Sequence, residues 1–431
     1  MRNKNKNQQN RHRNLSSRFS PAQDGTRRHK PDYGLAIITL ALLVIGLIVV
    51  YAMSPALAAQ NQVSDGYFVQ RQLIAIVLAA VVFLIVAKLP LQSWARLVKP
   101  LFIFTVGMLI ATQLFGEEVN NATRWIQIGG LSFQPVELLK FTLVVWLAYF
   151  LGKRYRDGAM DSFHKTIKPI GVVLVAAAVV VAILQSDLGS MGVVAAIILA
   201  MVFAGGLSLR WLAAGGAAVL GGGLLLILSS SYRIERVKTF FNADADCLAE
   251  GYQACQALIA IGSGGLFGRG IDRSTQAYGY LPEAANDAIF AVLAEMFGFI
   301  GVVIVIGLFV ALFTRLYRII ERSPQIEHRL MVMGILAWIS TQAFINIMAM
   351  VGLFPLKGIT LPFISYGGTS LIFVSAAIAL AFNISRYTTF RVFEPVGPKK
   401  QQVYRRESAH DRPPQRRGHS WARYAHSNHR P

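Results

Sequence analysis

Cysteine is almost missing from this 431-residue chain: there are two, at 247 and 255, too few for a disulfide framework or a four-cysteine zinc site. No His pair or Cys/His set has metal-ligand spacing. Charge is scarce as well. Charged residues make up 15% of the sequence, against roughly 25% in a soluble domain. Hydrophobic residues make up 54%, and the mean hydropathy is +0.48. These values exclude disordered and collagen-like chains, and a soluble enzyme of this length would need far more polar surface. Acidic residues are the scarcer sign, 22 against 42 basic, which gives a net charge of +20.

That charge looks at first like a nucleic-acid signal, but its distribution argues otherwise. Residues 1–32 carry 9 Lys/Arg and 2 Asp/Glu, and residues 386–431 carry 11 and 3. Basic ends around an apolar middle suit an anionic cytoplasmic leaflet, and their plain reading is solvated tails that set topology. No nucleic-acid partner is expected.

Apolar runs long enough to cross about 30 Å of hydrocarbon as helix fall near 33–53, 73–89, 97–115, 137–151, 167–184, 190–206, 211–228, 288–314, 330–352 and 370–388. The first follows a 32-residue polar arm and reads as a spanning helix, so no cleavable leader is expected. With the amino terminus inside, 13 basic residues fall in short inner loops, among them Lys88, Lys153, Arg210 and Arg315. Short outer loops then hold only Arg71, Arg124 and Lys357. The positive-inside rule selects that orientation. The expected fold is an all-α polytopic membrane protein of about ten transmembrane helices with both termini cytoplasmic. One large extracytoplasmic loop, 229–287, separates helices 7 and 8. The transmembrane domain covers 33–390, between disordered basic tails at 1–32 and 391–431.

Polar chemistry gathers on the outer side. The long loop ends in Tyr280-Leu281-Pro282-Glu283-Ala284-Ala285-Asn286-Asp287, and an apolar helix follows at once. Asn286 or Asp287 can cap that helix; alternatively, a carboxylate facing a cavity at the interface can serve as general base. Glu295, eight residues on, is costly at that depth unless paired or cavity-lining. Asn346 through Ser370 contains Pro355, Pro362 and four glycines between two spanning runs. Irregular backbone there must be buried in protein or line a wet cavity. Lys357 in its middle offers a cation to a phosphate, or simply snorkels to the interface.

Arg124-Trp125 and Phe133-Gln134-Pro135-Val136-Glu137-Leu138-Leu139-Lys140 form a second cluster. Glu137 and Lys140 share a helical face and can pair; Arg124 beside Trp125 equally suits an interfacial anchor. Gln185-Ser186-Asp187 adds a carboxylate or a tight polar turn. Arg233 and Arg236 follow a spanning run. The glycine-dense 262–270 stretch lacks the Gly-Lys-Ser/Thr ending of a phosphate loop, and no nucleotide site is assigned to it. Cys247 and Cys255 share the outer loop, and their spacing leaves pairing open.

On these residues the chain resembles the SEDS family (shape, elongation, division and sporulation) of FtsW, RodA and SpoVE polytopic proteins. The Asn346–Ser370 stretch follows the family signature. Arg124-Trp125-Ile126, Ser132-Phe133-Gln134-Pro135, Gln185 with Asp187-Leu188-Gly189, Gly251-Tyr252-Gln253, Ala260–Gly265 and Pro282-Glu283 with Asp287 follow in family order. The Tyr280–Ala284 wording is closer to the division member than to the elongation member. The resemblance implies a peptidoglycan glycosyltransferase that polymerises lipid II at the outer face of the bacterial cytoplasmic membrane, in septal wall synthesis. It implies Asp287 as the essential carboxylate and Lys357 as a functional cation. Substrate contacts are expected from Arg124, Trp125, Gln134, Glu137, Lys140, Asp187, Arg233, Arg236, Glu283 and Ser365. It also implies a class B penicillin-binding protein and divisome proteins as partners. No cofactor is implied beyond a divalent cation, Mg or Mn, on the diphosphate, for which the sequence has no dedicated site.

The chain departs from the family pattern in places. Ala285-Asn286 stands where His-Thr or His-Ser is usual, Val136 and Ser186 replace Ser and Pro, and Met296 stands where a second Glu is common. Three further readings compete: a transporter that flips the lipid-linked precursor, an elongation-type polymerase, and a scaffold that has lost catalysis.

Overall fold

The computed structural model describes residues 29–119, 122–128, 131–241, 247, 251–356 and 358–388. The chain divides into two compact units, Met1–Phe393 and Glu394–Pro431, and every described residue lies in the first. Helices α1 (Tyr33–Asn61), α2 (Tyr67–Lys88) and α3 (Leu91–Phe115) come first, joined by short links. A small antiparallel sheet follows, β1 (Glu117–Val119), β2 (Ala122–Ile128) and β3 (Leu131–Phe133), in that spatial order. Ile126 pairs with Phe133 and Ile128 with Leu131. Then come α4 (Pro135–Arg156), α5 (Phe163–Leu184), α6 (Leu188–Ala204) and α7 (Leu209–Leu228). The loop expected at 229–287 contains two helices, α8 (Ser231–Phe241) and α9 (Tyr252–Gly264). The chain ends its described part with α10 (Ile289–Arg322), α11 (Ile326–Met350) and α12 (Gly368–Ile384).

Among the described residues nine helices are long and apolar enough to span a membrane, and α6 is a shorter apolar helix. Each of the ten apolar runs seen in the sequence corresponds to one of these ten helices. Their burial separates them into layers. About four-fifths of the apolar windows of α4 and α12 are buried, and most of that of α11, whereas α7 buries nothing. The inner helices meet around Trp338, Leu147, Ile197 and Met201. The outer helices turn large apolar side chains outward, such as Val77, Ile103, Val175 and Leu220. In water such a surface would be an aggregation hazard; in hydrocarbon it needs no cover.

Local signals explain the helix ends. Asp32 caps α1 by accepting from the Gly34 N–H at 2.9 Å, and Arg315 holds that carboxylate from α10 at 3.2 Å. Helix α4 opens on Pro135, has Glu137 in its first turn, and ends on Lys153, Arg154 and Arg156. Proline suits the first turn because its missing N–H would be unpaired there anyway, and the charges agree with the helix dipole. Helix α10 is interrupted at Gly298, where φ is 65°. The freed main-chain groups are taken up by the glycine-dense stretch: Arg269 N–H donates to Glu295 O, Gly270 N–H to Met296 O, and Phe299 N–H to Gly265 O. Side chains at Gly264 or Gly268 would collide with the backbone oxygens of Ala294 and Met296. The glycines at 264 and 268 therefore serve close backbone packing.

Candidate active site

The site is built where two irregular segments meet at one end of the inner helices. The first is the turn before α10. Glu283 adopts φ 51°, and its carbonyl accepts from the N–H groups of Asn286 (2.9 Å) and Ala288 (3.2 Å). Asn286 donates its amide to the Glu283 carboxylate at 2.5 Å. Ala288 occupies the N-cap position of α10, which has no side-chain cap. Neither Asn286 nor Asp287 is a helix cap, which removes the simplest structural account of that carboxylate.

Asp287 is 8% exposed. Gln253 on α9 lies 3.5 Å from its Oδ1 and 3.5 Å from the Pro282 carbonyl. Asn346 on α11 donates its amide to the main-chain oxygens of Asp287 and Ile359, both at 2.7 Å. Asp287, Asn346, Met350 and Gly358 line a cavity of about 10 Å³, at the lower limit for one water molecule.

The second segment, 351–367, folds over this turn. Ser365 accepts from the Leu361 N–H at 2.7 Å, closing a tight loop, and the Tyr366 N–H donates to the Ala285 carbonyl at 2.8 Å. Gly358 has φ 63°, and a Cβ on it would stand 3.9 Å from Asp287 Oδ2. Gly46 of α1 lies against this loop; a Cβ there would come within 2.5 Å of the Ile364 oxygen. Lys357 lies outside the described residues, as do the Arg236 side chain and both basic tails beyond 29–388.

Beneath the loop lies a buried ion pair. Lys140 Nζ is 2.6 Å from Glu137 Oε1 and donates to Gln342 Oε1 at 3.1 Å. Gln342 also accepts from the Trp338 indole (2.8 Å) and donates to the Thr360 carbonyl (3.1 Å). The i,i+3 pair expected from the sequence is thus present, and Gln342 connects it to the 351–367 segment. Gln134 stands at the N-cap position before α4, its N–H donating to Thr369 Oγ1 at 3.2 Å. One Glu137 oxygen, Oε2, has no hydrogen-bond partner.

The arginines are less available. Arg124 on β2 donates to the Gln185 and Ser186 carbonyls at 2.7 and 2.8 Å, with Trp125 half-buried beside it. Asp187 caps α6 by accepting from the Ser190 N–H. Arg233 donates to the Leu226 and Ala182 carbonyls at 2.8 and 3.0 Å, which joins α7 to α5. Glu295 is fully engaged, accepting from Ser274 Oγ (2.6 Å), Thr275 N–H (3.0 Å) and Gln276 N–H (3.1 Å). Cys247 and Cys255 are joined by a disulfide, which settles the pairing that spacing left open and ties the start of α9 to the preceding segment.

Gln253, Asn346 and Gln342 were not among the binding residues expected from the sequence. A polar side chain inside an apolar run is itself a signal of a partner or cavity, and Gln342 and Asn346 both carry it. Nothing in local spacing could have brought Gln253 to Asp287 across 34 residues.

The family model described as "Cell cycle protein", that of FtsW, RodA and SpoVE, matches residues 33–390. The chain belongs to this family. The FtsW/RodA/SpoVE relatives include stage V sporulation protein E of Bacillus subtilis, 35% identical over 85% of this chain and 100% of its own length. A probable peptidoglycan glycosyltransferase FtsW of Trichlorobacter lovleyi is 34% identical over 82% of this chain and 93% of its own. Two solved structures share the FtsW/RodA/SpoVE fold at 27% identity. One is from work on the coordination of polymerization and crosslinking by a peptidoglycan synthase complex (TM-score 0.68, covering 83% of this chain and 98% of the other). The second is RodA, the rod shape determining protein of Thermus thermophilus (TM-score 0.58, 83% and 97%). As a family member with nine long apolar helices among its described residues, the chain is a multi-pass protein of the bacterial cytoplasmic membrane.

Proposed function

We propose that this chain is a peptidoglycan glycosyltransferase that polymerises lipid II into glycan strands at the outer membrane face, with Asp287 as general base. The observation that carries the reading is the setting of Asp287: nearly buried, absent from the helix cap, and enclosed by Gln253, Asn346 and Gly358. Relatives bearing the FtsW name support the activity and the septal role. The Cys247–Cys255 disulfide supports an extracytoplasmic position for the segment that presents α9, with both termini inside.

In the proposed step the GlcNAc 4-hydroxyl of the acceptor gives its proton to the Asp287 carboxylate as its oxygen attacks C1 of the donor MurNAc. The bond from C1 to the lipid diphosphate breaks, and the electron pair leaves with the diphosphate. Attack opposite the leaving group inverts C1, as in single-displacement glycosidases. Cations near the diphosphate stabilise the developing charge, and Lys357 is assigned that part. Arg124 and Arg233 are assigned to holding the surrounding backbone, and Glu137, Lys140 and Gln134 to supporting the site from below. Glu283, Trp125 and Arg236 complete the proposed substrate-facing set, while Asp187 and Ser365, both buried, are assigned to holding the backbone through the α6 cap and the 361–365 loop. Among the described residues no group of three or more His, Cys, Asp or Glu is placed to hold a metal; a Mg or Mn ion is assigned to the diphosphate, and no step depends on it. A class B penicillin-binding protein is the proposed partner, with divisome proteins around the pair.

The test is lipid II polymerisation by the purified full chain with its cognate transpeptidase, wild type beside Asp287→Asn. The wild type should make polymer, and the variant should fold equally well and make none. Full activity in the variant would remove Asp287 as base, and a flipping assay on the same pair tests the transporter alternative.

A further inference from the structure

We propose that Arg71 and Tyr366 form an anion-binding pair at the rim of the site, which takes the diphosphate of a polyprenyl-linked sugar. The inference rests on the glycosyltransferase reading and locates where the lipid anchor's phosphates are gripped. Three other arginines near these irregular segments have already committed their donors. Arg124 and Arg233 bond main-chain carbonyls, and Arg269 bonds the Ser263 carbonyl, Thr275 Oγ1 and the Glu295 carboxylate.

Arg71 differs. It stands in the second turn of α2, half-buried, with its guanidinium 4.4 Å from the centre of the Tyr67 ring and in reach of the Tyr366 hydroxyl. Among the described residues it joins no ion pair. A cation at a membrane interface without a carboxylate is stabilised by whatever anion arrives there. The Tyr67 face orients the planar guanidinium, which suits it to phosphate oxygens.

Tyr366 adds direction. Arginine has no acceptor atom, so beside Arg71 the phenolic proton is left for another acceptor. Burial pushes the Tyr366 phenol up from its ordinary value, against the pull of Arg71, which keeps the hydroxyl a donor. An edge-on contact with Phe68, ring centroids 5.6 Å apart, fixes the ring. The Tyr366 N–H bond to Ala285 couples the pair to the turn that ends in Asp287. Two residues on, a Cβ at Gly368 would meet nothing within 4 Å.

The same phosphate chemistry exists in phospholipid headgroups, and the experiment separates the two. Binding of undecaprenyl diphosphate is measured to the full chain in phosphatidylcholine nanodiscs and again in discs containing phosphatidylglycerol. Arg71→Gln should weaken binding roughly 10- to 100-fold and Tyr366→Phe roughly 3- to 10-fold, in both lipids, with Arg71→Lys between wild type and Arg71→Gln. Wild-type binding by both Arg71→Gln and Tyr366→Phe would overturn the proposal, as would a defect confined to phosphatidylglycerol discs. If Arg71→Gln does not fold, Tyr366→Phe decides alone. The probe is not turned over, so an Arg71-dependent site in a chain that makes no polymer would refute the enzyme reading and leave the anion pair standing.

Discussion

One amide nitrogen of Asn346 donates to two carbonyls, those of Asp287 and Ile359, each at 2.7 Å. It therefore fixes the backbone under the proposed base and the backbone of the segment folded over it in a single contact. Asn346→Leu would remove this donor from both oxygens, at about 1–3 kcal/mol for each. The expected outcome is a lower unfolding temperature in detergent and a loss of polymerisation larger than the fall in folded protein. Asn346→Asp should behave similarly, because an ionised carboxylate has no donor.

The Glu137–Lys140 pair makes a second prediction. Both side chains are nearly inaccessible, 3% and 1% exposed, so removing one partner strands the other. Lys140→Met should cost about 3–5 kcal/mol, while Glu137→Gln with Lys140→Met together should cost less than the single change. Thermal unfolding of the two variants and wild type measures the difference.

Glu295 is predicted to matter for stability more than for chemistry. Glu295→Ala removes the acceptor of Ser274, Thr275 and Gln276 at once. Bonds to a charged acceptor contribute roughly 1.5–3 kcal/mol each. Limited proteolysis should cut the variant within 263–276 at protease levels that spare the wild type.

Gly46→Ala tests the site without touching a polar group. The added methyl must displace Ile364, and with it the loop closed by Ser365. Polymerisation should fall at least 10-fold while α1 stays helical by circular dichroism, since alanine favours helix by about 1 kcal/mol over glycine.

The disulfide closes a loop of eight residues, which corresponds to about 2–3 kcal/mol in the chain-entropy account. Cys247→Ser with Cys255→Ser, or reduction of the wild type, should lower the unfolding temperature by similar amounts. Reductant should have no further effect on the double variant.

Much of the architecture was readable from the sequence because a spanning helix needs a long apolar run, and ten such runs are present. The sheet at 117–133 was not, since β1 and β3 are only three residues each, too short for an alternating pattern to show. The loop at 229–287 hid α8 and α9 for a related reason: their sequences are mixed in polarity and too short to span. Within the site, Glu137 and Lys140 were legible because three residues along a helix is a contact by geometry. Gln253 meeting Asp287 and Gln342 reaching Thr360 depend on how helices pack, which spacing does not encode. Glu295 was expected in a polar interior; its partners turned out to be main-chain and hydroxyl donors of the adjoining loop.

The break at Gly298 has a consequence for how the protein sits in bilayers of different thickness. Glu295 and Met296 before the break, and Phe299 and Ile300 just past it, are fastened to the glycine-dense stretch by main-chain bonds, whereas the rest of α10 to Arg322 runs on as a separate rod. A thinner bilayer that makes the lower rod lean can have its tilt absorbed at the joint. The half of α10 that follows Asp287 is thereby tied to the glycine-dense stretch, so the alignment of the proposed base follows that stretch and not the lean of the rod.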